Sequence, residues 1–375
     1  MLKGLHLTML VGPTVPVVVP WRVVDALESA RVEVGGERDG FELKFALEKN
    51  SPLIQTFVLA GSQSLDFRVI LFVTLNATPH VIFDGLMSHH QVDKSGGAPK
   101  LVVQGTGLTQ AMDRDDLTGL VQYPCLGPAA RVRMILAKYA RFGLIPMVFP
   151  SLGDAIPDPL TQTPVHRGTD LQYIKELAER AGNQFFVVPG PAPGTNLAYW
   201  GPPVKIGAPQ PPLNGDMDAH KNVESLSFRI DAEQHEQPVV VIYEPITKMP
   251  IPVPIPGFSP LSPPLGLIRP QARRKTRVPD TSKKPFLEAL LEGFAAASKA
   301  QDTVFGSGSL NVLRYGHVLR AKHPVSVRGA TSPFDGLYYV DRVTHEIQRG
   351  QYTQSFELRR DGLVSTVPLA PMVTA

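Results

Sequence analysis

The stretch that decides the fold is Val318–Arg360, which reads VLRAKHPVSVRGATSPFDGLYYVDRVTHEIQRGQYTQSFELRR. Turns rich in Gly, Ser, Pro and Asp divide it into three strand-like runs: Val318–Arg328, Leu337–Ile347 and Tyr352–Arg360. Alternating apolar and polar residues between such turns predict a half-buried antiparallel sheet. In the second run the apolar positions change parity between Val340 and Val343. This change predicts a β-bulge of the kind that bends strands in small barrels.

Residues 1–120 show the same kind of pattern and predict a first small β-barrel. The residues Phe41, Leu43, Phe45 and Leu47 alternate with polar or small ones after the turn at 35–40. The run Arg68–Leu75 is apolar at successive positions, so both of its faces are expected to be buried, within the chain or by a partner. Five or six short strands with turns at this spacing are typical of a small barrel.

Residues 121–214 have a different pattern and predict a small α/β domain. Pro128 opens one apolar helical stripe, which Gly143 ends. Thr169 with Gln172 three residues later forms a capping-box signature for a second helix, and Gly182 marks its end. A strand at 185–188 is expected to follow.

Residues 215–363 are predicted to form the second barrel, with a proline-rich strap and one helix inside it. The strap spans 244–284, and proline confines it to extended or edge positions because proline lacks a backbone donor. It carries the basic cluster Arg273, Arg274, Lys275 and Arg277, which we interpret as a solvated loop. The helix is predicted over 285–299, and 364–375 form a tail without a pattern.

The composition describes a globular protein with a sizeable core. The 375 residues include 43% hydrophobic ones, 37 prolines and 32 glycines, and the net charge is +3 from 37 basic and 34 acidic residues. This balance does not favour nucleic acid or an anionic membrane as the main partner. No apolar run has the roughly 20 residues of a membrane helix. The single cysteine, Cys125, is expected to be a buried structural thiol.

The sequence contains no motif that predicts catalysis, a cofactor or a metal. The segment 306–310 reads GSGSL and lacks the nucleophile-elbow pattern, and 105–107 is not part of a dinucleotide fingerprint. The adjacent His89 and His90 would point to opposite faces of a strand and so would not bind one metal together. His345 is expected to be a hydrogen-bonded histidine of the C-terminal sheet.

Three segments resemble the phage late-control-D family, the baseplate hub proteins of contractile tails, which are similar to the N-terminal part of VgrG spike proteins. The segments are FDGLYYVDRVTHEI with QYTQSFELRR, RGTDLQYIKELAERAGNQFFV, and DGFELKFAL. The resemblance implies two tube-initiator-like barrels around an α/β insert. It also implies a homotrimer whose six barrels form a quasi-sixfold ring between a threefold spike protein and the hexameric inner tube.

If the resemblance holds, the ring templates the first tube ring, and further partners include baseplate wedge proteins. The location would be the baseplate of a virion or injection particle assembled in the host cytoplasm. The chain shows no OB-like domain or β-helix of its own, so a separate spike protein is expected. Candidate side chains for the trimer or tube interface are Val69, Leu71, Val73, Phe334, Tyr338, Val340, Val343 and Ile347.

Two alternatives from other classes stay open. Tail tips often carry activity against the cell wall, so one alternative is a wall-degrading enzyme. The other is a carbohydrate- or receptor-binding β module. The two tryptophans, Trp21 and Trp200, are far apart in the sequence and give the second alternative little support.

Overall fold

The computed structural model describes residues 5–13, 15–36, 38–48, 51–94, 98–150, 163–202, 207–216, 220–231, 236–243, 249–255, 264–271, 273–278, 293–294, 296–297 and 302–366. Strands dominate this part of the chain. Thirteen of them form one large sheet: β1 (His6–Pro13), β2 (Val17–Val18), β3 (Leu27–Val34), β4 (Gly40–Ala46), β5 (Phe67–Leu75), β6 (Thr78–Asp93), β7 (Lys100–Gly107), β11 (Gln210–Asn214), β12 (Val223–Ile230), β17 (Val304–Asn311), β18 (Pro324–Arg328), β19 (Gly336–Gln348) and β20 (Gln351–Arg360).

The remaining strands form three small sheets. Their bounds are β8 (Leu144–Val148), β9 (Gln184–Pro189), β10 (Asn196–Gly201), β13 (Glu236–Tyr243), β14 (Pro250–Pro254), β15 (Gly266–Ile268), β16 (Arg274–Arg277) and β21 (Leu363–Ser365). The orders are β8-β10-β9, β14-β13-β16 and β15-β21.

The helices are short and few among the described residues. They are α1 (Trp21–Asp25), α2 (Ala60–Ser62), α3 (Pro128–Ala137), α4 (Asp170–Ala181) and α5 (Val312–Tyr315), with a π turn at Ile54–Leu59 and 3-10 turns at Leu108–Asp113 and Ala140–Phe142. Of the helix predicted over 285–299, only 293–294 and 296–297 are described, and both pairs are helical. The rest of that prediction lies outside the described residues.

The large sheet joins the two predicted barrels. Its strands follow the order β12-β17-β20-β19-β3-β4-β7-β6-β5-β1-β2, with β18 beside β19 and β11 beside β18. Strand β19 of the C-terminal group pairs with β3 of the N-terminal group from Val343 to Gln348. No ring of strands closes within the described ranges, so the structure confirms a mainly β fold with an α/β insert but not two separate barrels.

The predicted bulge in β19 is confirmed, and it marks a change of partner. The register against β20 shifts between Val340 and Arg342. Before the bulge β19 pairs with β18, and after it β19 pairs with β3. The parity change in the sequence therefore keeps Val340 and Val343 in the core while the strand passes from one group to the other.

One hydrophobic core extends under both strand groups. It contains Val32 and Phe45 from the N-terminal group and Val340 and Leu358 from the C-terminal group. The insert has its own core, formed by α3, α4 and the sheet β8-β10-β9 around the fully buried Trp200. A third, small cluster of Val240, Ile255 and Ala297 lies beside the sheet β14-β13-β16.

Cys125 lies in an exposed turn, so the prediction of a buried thiol was wrong. Its backbone has φ = 57°, in the left-handed region. Cys125 is exposed because it lies in the turn that precedes α3, despite the general tendency of cysteine to be buried.

Candidate interaction surfaces

The side chains predicted for a trimer interface lie in the core of the chain itself. Seven of them are buried and Phe334 is half-buried. Strands β5 and β19 are also interior strands with hydrogen-bonded neighbours on both sides. A contact between copies would therefore need other side chains, and the association of copies stays a prediction.

The insert explains why β5 is apolar at successive positions. One face of β5 packs in the main core, and on the other face the buried Arg68 and Ile70 lie against the insert at Phe142 and Gly194. Arg68 and Asp84 form a buried bidentate pair, with N–O distances of 2.7 and 2.6 Å. Arg68 also donates to the carbonyl oxygens of Phe142 (2.7 Å) and Gly194 (3.1 Å), and Asn196 donates to Asp84 (2.8 Å). This network ties the insert to the sheet, so the second face of β5 is covered within the chain.

Arg360 organises the FDG turn of the C-terminal motif. Its fully buried guanidinium donates to the carbonyl oxygens of Gly362 (2.6 Å), Asp335 (3.0 Å) and Pro333 (2.7 Å). It also lies 4.3 Å from the ring centroid of Tyr338. Burial lowers the pKa of Arg360, and the nearby acidic groups oppose that shift.

Asp361 fixes the strap to the end of the sheet. Its carboxylate is buried and accepts from the backbone N–H groups of Leu265 (2.9 Å) and Gly266 (3.0 Å) and from Arg269 (2.6 Å). Strand β15 of the strap then pairs with β21. No local pattern predicts this contact, because 92 residues separate Arg269 from Asp361.

His345 is a hydrogen-bonded core histidine, as predicted. Its Nδ1 lies 2.7 Å from the hydroxyl of Tyr352 and 3.3 Å from the amide of Gln354. Gln354 in turn accepts from the N–H of Leu319 and donates to its carbonyl oxygen. Burial lowers the pKa of His345 to about 3, so the ring is neutral at pH 7.

The face of the large sheet opposite the core is polar across both strand groups. Small hydroxyl pairs and ion pairs cross from strand to strand over β12, β17, β20, β19, β3, β4 and β7. The pairs are Ser225–Ser309 (2.8 Å), Ser227–Ser307 (2.9 Å), Arg342–Glu357 (3.9 Å), Arg342–Glu33 (3.3 Å), Arg31–Glu346 (3.6 Å) and Gln104–Glu42 (2.8 Å). Three of the four glutamates here pair with an arginine, and Glu42 contacts Gln104 and Lys44 (2.8 Å), so each carboxylate of these pairs has a partner.

Both ends of the large sheet have a free edge among the described strands. At one end is β12, which pairs only with β17. At the other end is β2, where Val15, Val17, Val18 and Trp21 are 76, 67, 63 and 71% exposed. We call these four residues the β2 patch. An exposed apolar cluster beside an open edge is typical of a contact surface.

The described residues form no constellation for metal binding. No group of three or more His, Cys, Asp or Glu side chains with metal-binding geometry occurs in the described ranges. Near the end of β6, His89 is exposed and His90 is half-buried. In the described part of the chain, no helix combines the length and the hydropathy that crossing a membrane requires.

Comparisons with known proteins relate the fold to phage tails. No family model matches the chain, and no curated protein matches it. A tail protein from Neisseria meningitidis MC58 superposes with a TM-score of 0.61 at 15% identity, over 96% of this chain and 98% of that one. The 43 kDa tail protein of prophage MuSo2 from Shewanella oneidensis gives 0.59 at 11% identity, over 95 and 98%.

A chain of the Francisella PdpA–VgrG complex shares the fold as well. Its TM-score is 0.61 at 8% identity, and the match spans 99% of this chain and 55% of that one. These names describe tail proteins and a VgrG complex rather than enzymes. At the level of the fold, the resemblance stated from the sequence is confirmed.

Proposed function

We propose that this protein is the structural baseplate hub of a contractile tail or injection particle. The observation that carries the proposal is the polar face, which extends over both strand groups and holds its carboxylates in ion pairs and hydrogen bonds. A surface of this kind suits the wall of a passage, because it offers a moving polymer little to bind. The likeness to tail proteins and to a VgrG complex supports the same role.

In this proposal three copies form a ring through the two ends of the large sheet. The end at β12 of one copy meets the end at β2 of the next copy, which is a head-to-tail contact that closes after three steps. Each copy contributes two barrel-like units, residues 1–120 and 215–363, and the insert 121–214 lies beside the first. Six units then present a quasi-sixfold platform.

The ring joins a threefold spike protein below to the hexameric inner tube above. Preformed strand edges on the platform would let the first tube ring add in order, which removes the nucleation step of tube assembly. Wedge proteins contact the ring at its periphery. The protein would assemble in the host cytoplasm and remain in the baseplate of the particle.

Light scattering on the purified protein, followed by negative-stain imaging of the same peak, tests the proposal. We expect a trimer mass and ring-shaped particles with six lobes. A monomer would call for the same measurement after the spike protein is added. A chain that stays monomeric with its spike at low and high salt would overturn the hub assignment.

A further inference from the structure

The positive charge of the chain is concentrated in the strap. Residues 245–279 contain six of the 37 basic residues and none of the 34 acidic ones. This segment carries +6, whereas the remainder of the chain carries −3. The segment is inserted between β12 and β17, which are antiparallel neighbours at the end of the large sheet. A strongly basic segment is thus inserted into an otherwise slightly acidic chain.

Strand β16 contains two of these cations, Lys275 and Arg277, on one face, and Arg273 lies in the bend directly before it. Arg273, Lys275 and Arg277 alternate along the chain and are exposed. Of the alternate residues, Arg274 is exposed and Thr276 is half-buried, and Val278 packs against the small cluster beside this sheet. Alternate residues of a strand share one face, so the three cations are about 6.6 Å apart along it. None of the three forms an ion pair with another described residue.

The two edges of the sheet β14-β13-β16 differ in the backbone hydrogen-bonding groups that they present to an added strand. Strand β14 reads PIPVP, so only Ile251 and Val253 have N–H groups to donate to β13. The alternate positions of β14, whose backbone groups point away from β13, are prolines and have no N–H to donate. This edge is closed to strand addition.

Among the described strands, none pairs with the outer edge of β16. The N–H of Val278 donates to the carbonyl oxygen of Val239 in β13 at 3.0 Å. Backbone groups of a strand alternate in direction, so those of Lys275 and Arg277 point away from β13. The outward edge therefore offers donors and acceptors beside the row of cations.

We propose that β16 binds an acidic, extended segment of a partner protein, which adds to the sheet as a strand. Alternating carboxylates on such a segment would match the row of Arg273, Lys275 and Arg277, since same-face residues on paired strands lie about 5 Å apart. Backbone hydrogen bonds to Lys275 and Arg277 would set its register. The inference concerns the strap alone and does not depend on ring formation.

Fluorescence anisotropy with labelled peptides tests this inference on the full chain. The probe is the peptide TEVETEV, and its matched control is EEETVTV, which has the same composition with the glutamates in one block. We expect the alternating probe to bind about tenfold more tightly, and its affinity to fall as salt is raised. Two N-methylated versions of the probe are compared, one methylated at the three glutamates and the other at the residues between them. Only one version should lose binding, because a single edge of the peptide pairs with β16.

Charge variants assign the binding to the strap. The triple variant Arg273→Gln, Lys275→Gln, Arg277→Gln should lose about tenfold in affinity. The control variant Lys94→Gln, Lys175→Gln, Lys221→Gln removes the same charge from exposed positions elsewhere and should bind like the wild type. Circular dichroism and thermal unfolding verify that both variants are folded.

Three results would overturn the inference. The first is equal affinity for the two peptides, and the second is an equal loss in the two triple variants. The third is tighter binding of a single-stranded oligothymidine that the strap variant loses, which would assign the row of cations to nucleic acid instead.

Discussion

At the scale of single residues, Arg360 is the side chain on which the C-terminal motif depends most. Replacing it with methionine would leave the carbonyl oxygens of Pro333, Asp335 and Gly362 without their donor. We expect the free energy of unfolding to fall by about 3–5 kcal/mol, since an interior charge network loses its centre. Urea unfolding followed by circular dichroism measures the change.

Arg349→Met is the matched control for this experiment. Arg349 contacts Asp25 at the surface, and its side chain is 72% exposed. The control should change the free energy of unfolding by less than about 1 kcal/mol. Equal effects of the two substitutions would show that the turn does not depend on Arg360.

His345 makes stability depend on pH. Its pKa is about 3 in the folded chain because burial disfavours the charged ring, whereas an unfolded histidine titrates near 6.5. Between these values the unfolded state binds one more proton, so stability is complete above pH 6.5 and declines as the pH falls toward 3. The decline attributable to this one group is at most about 1.4 kcal/mol per pH unit.

The substitution His345→Gln should remove that part of the slope. Urea unfolding at pH 7, 6, 5 and 4 gives the two curves to compare. A residual slope is expected from His166, whose pKa burial also lowers. Parallel curves for the wild type and the variant would contradict the assignment to His345.

At the scale of elements, the start of α4 depends on a capping box. The hydroxyl of Thr169 accepts from the N–H of Gln172 and donates to Asp113 at 2.6 Å, while the Gln172 side chain accepts from the N–H of Thr169. Thr169→Ala should lower the free energy of unfolding by about 1–2 kcal/mol. Thr169→Ser keeps the hydroxyl and should retain most of the stability, and thermal unfolding compares the two. If Ser lost as much as Ala, the methyl group rather than the cap would be the cause.

Elements that depend on local patterns were predictable from the sequence. The capping box, the hairpin of β3 with β4 and the bulge in β19 each follow from residues within a few positions of one another. The pairing of β19 with β3 joins residues more than 300 positions apart and has no local signal. The contact between the Arg68–Asp84 pair and the insert has no local signal either. From the sequence, the doubly apolar β5 therefore suggested a surface for a partner, whereas the insert of the same chain packs against it.

At the scale of the whole molecule, the continuous sheet determines where copies can meet. Among the described strands, three have a free edge, namely β12, β2 and β11, and the proposed ring joins β12 of one copy to β2 of the next. The β2 patch is the apolar part of that contact. Its side chains are largely exposed in the isolated chain, so they contribute little to the stability of the fold. Charges introduced there should therefore act on assembly rather than on folding.

The double variant Val17→Glu, Trp21→Glu is expected to remain monomeric where the wild type forms trimers, because like charges would be buried at each of the three contacts. Light scattering measures the mass, and thermal unfolding verifies that the chain is folded. Leu120→Glu, at a residue that is 75% exposed at the end of the first unit, just before the insert, is the control and should still assemble. A folded double variant that forms trimers as readily as the control would exclude the β2 patch from the contact and would require the ring to close through another surface.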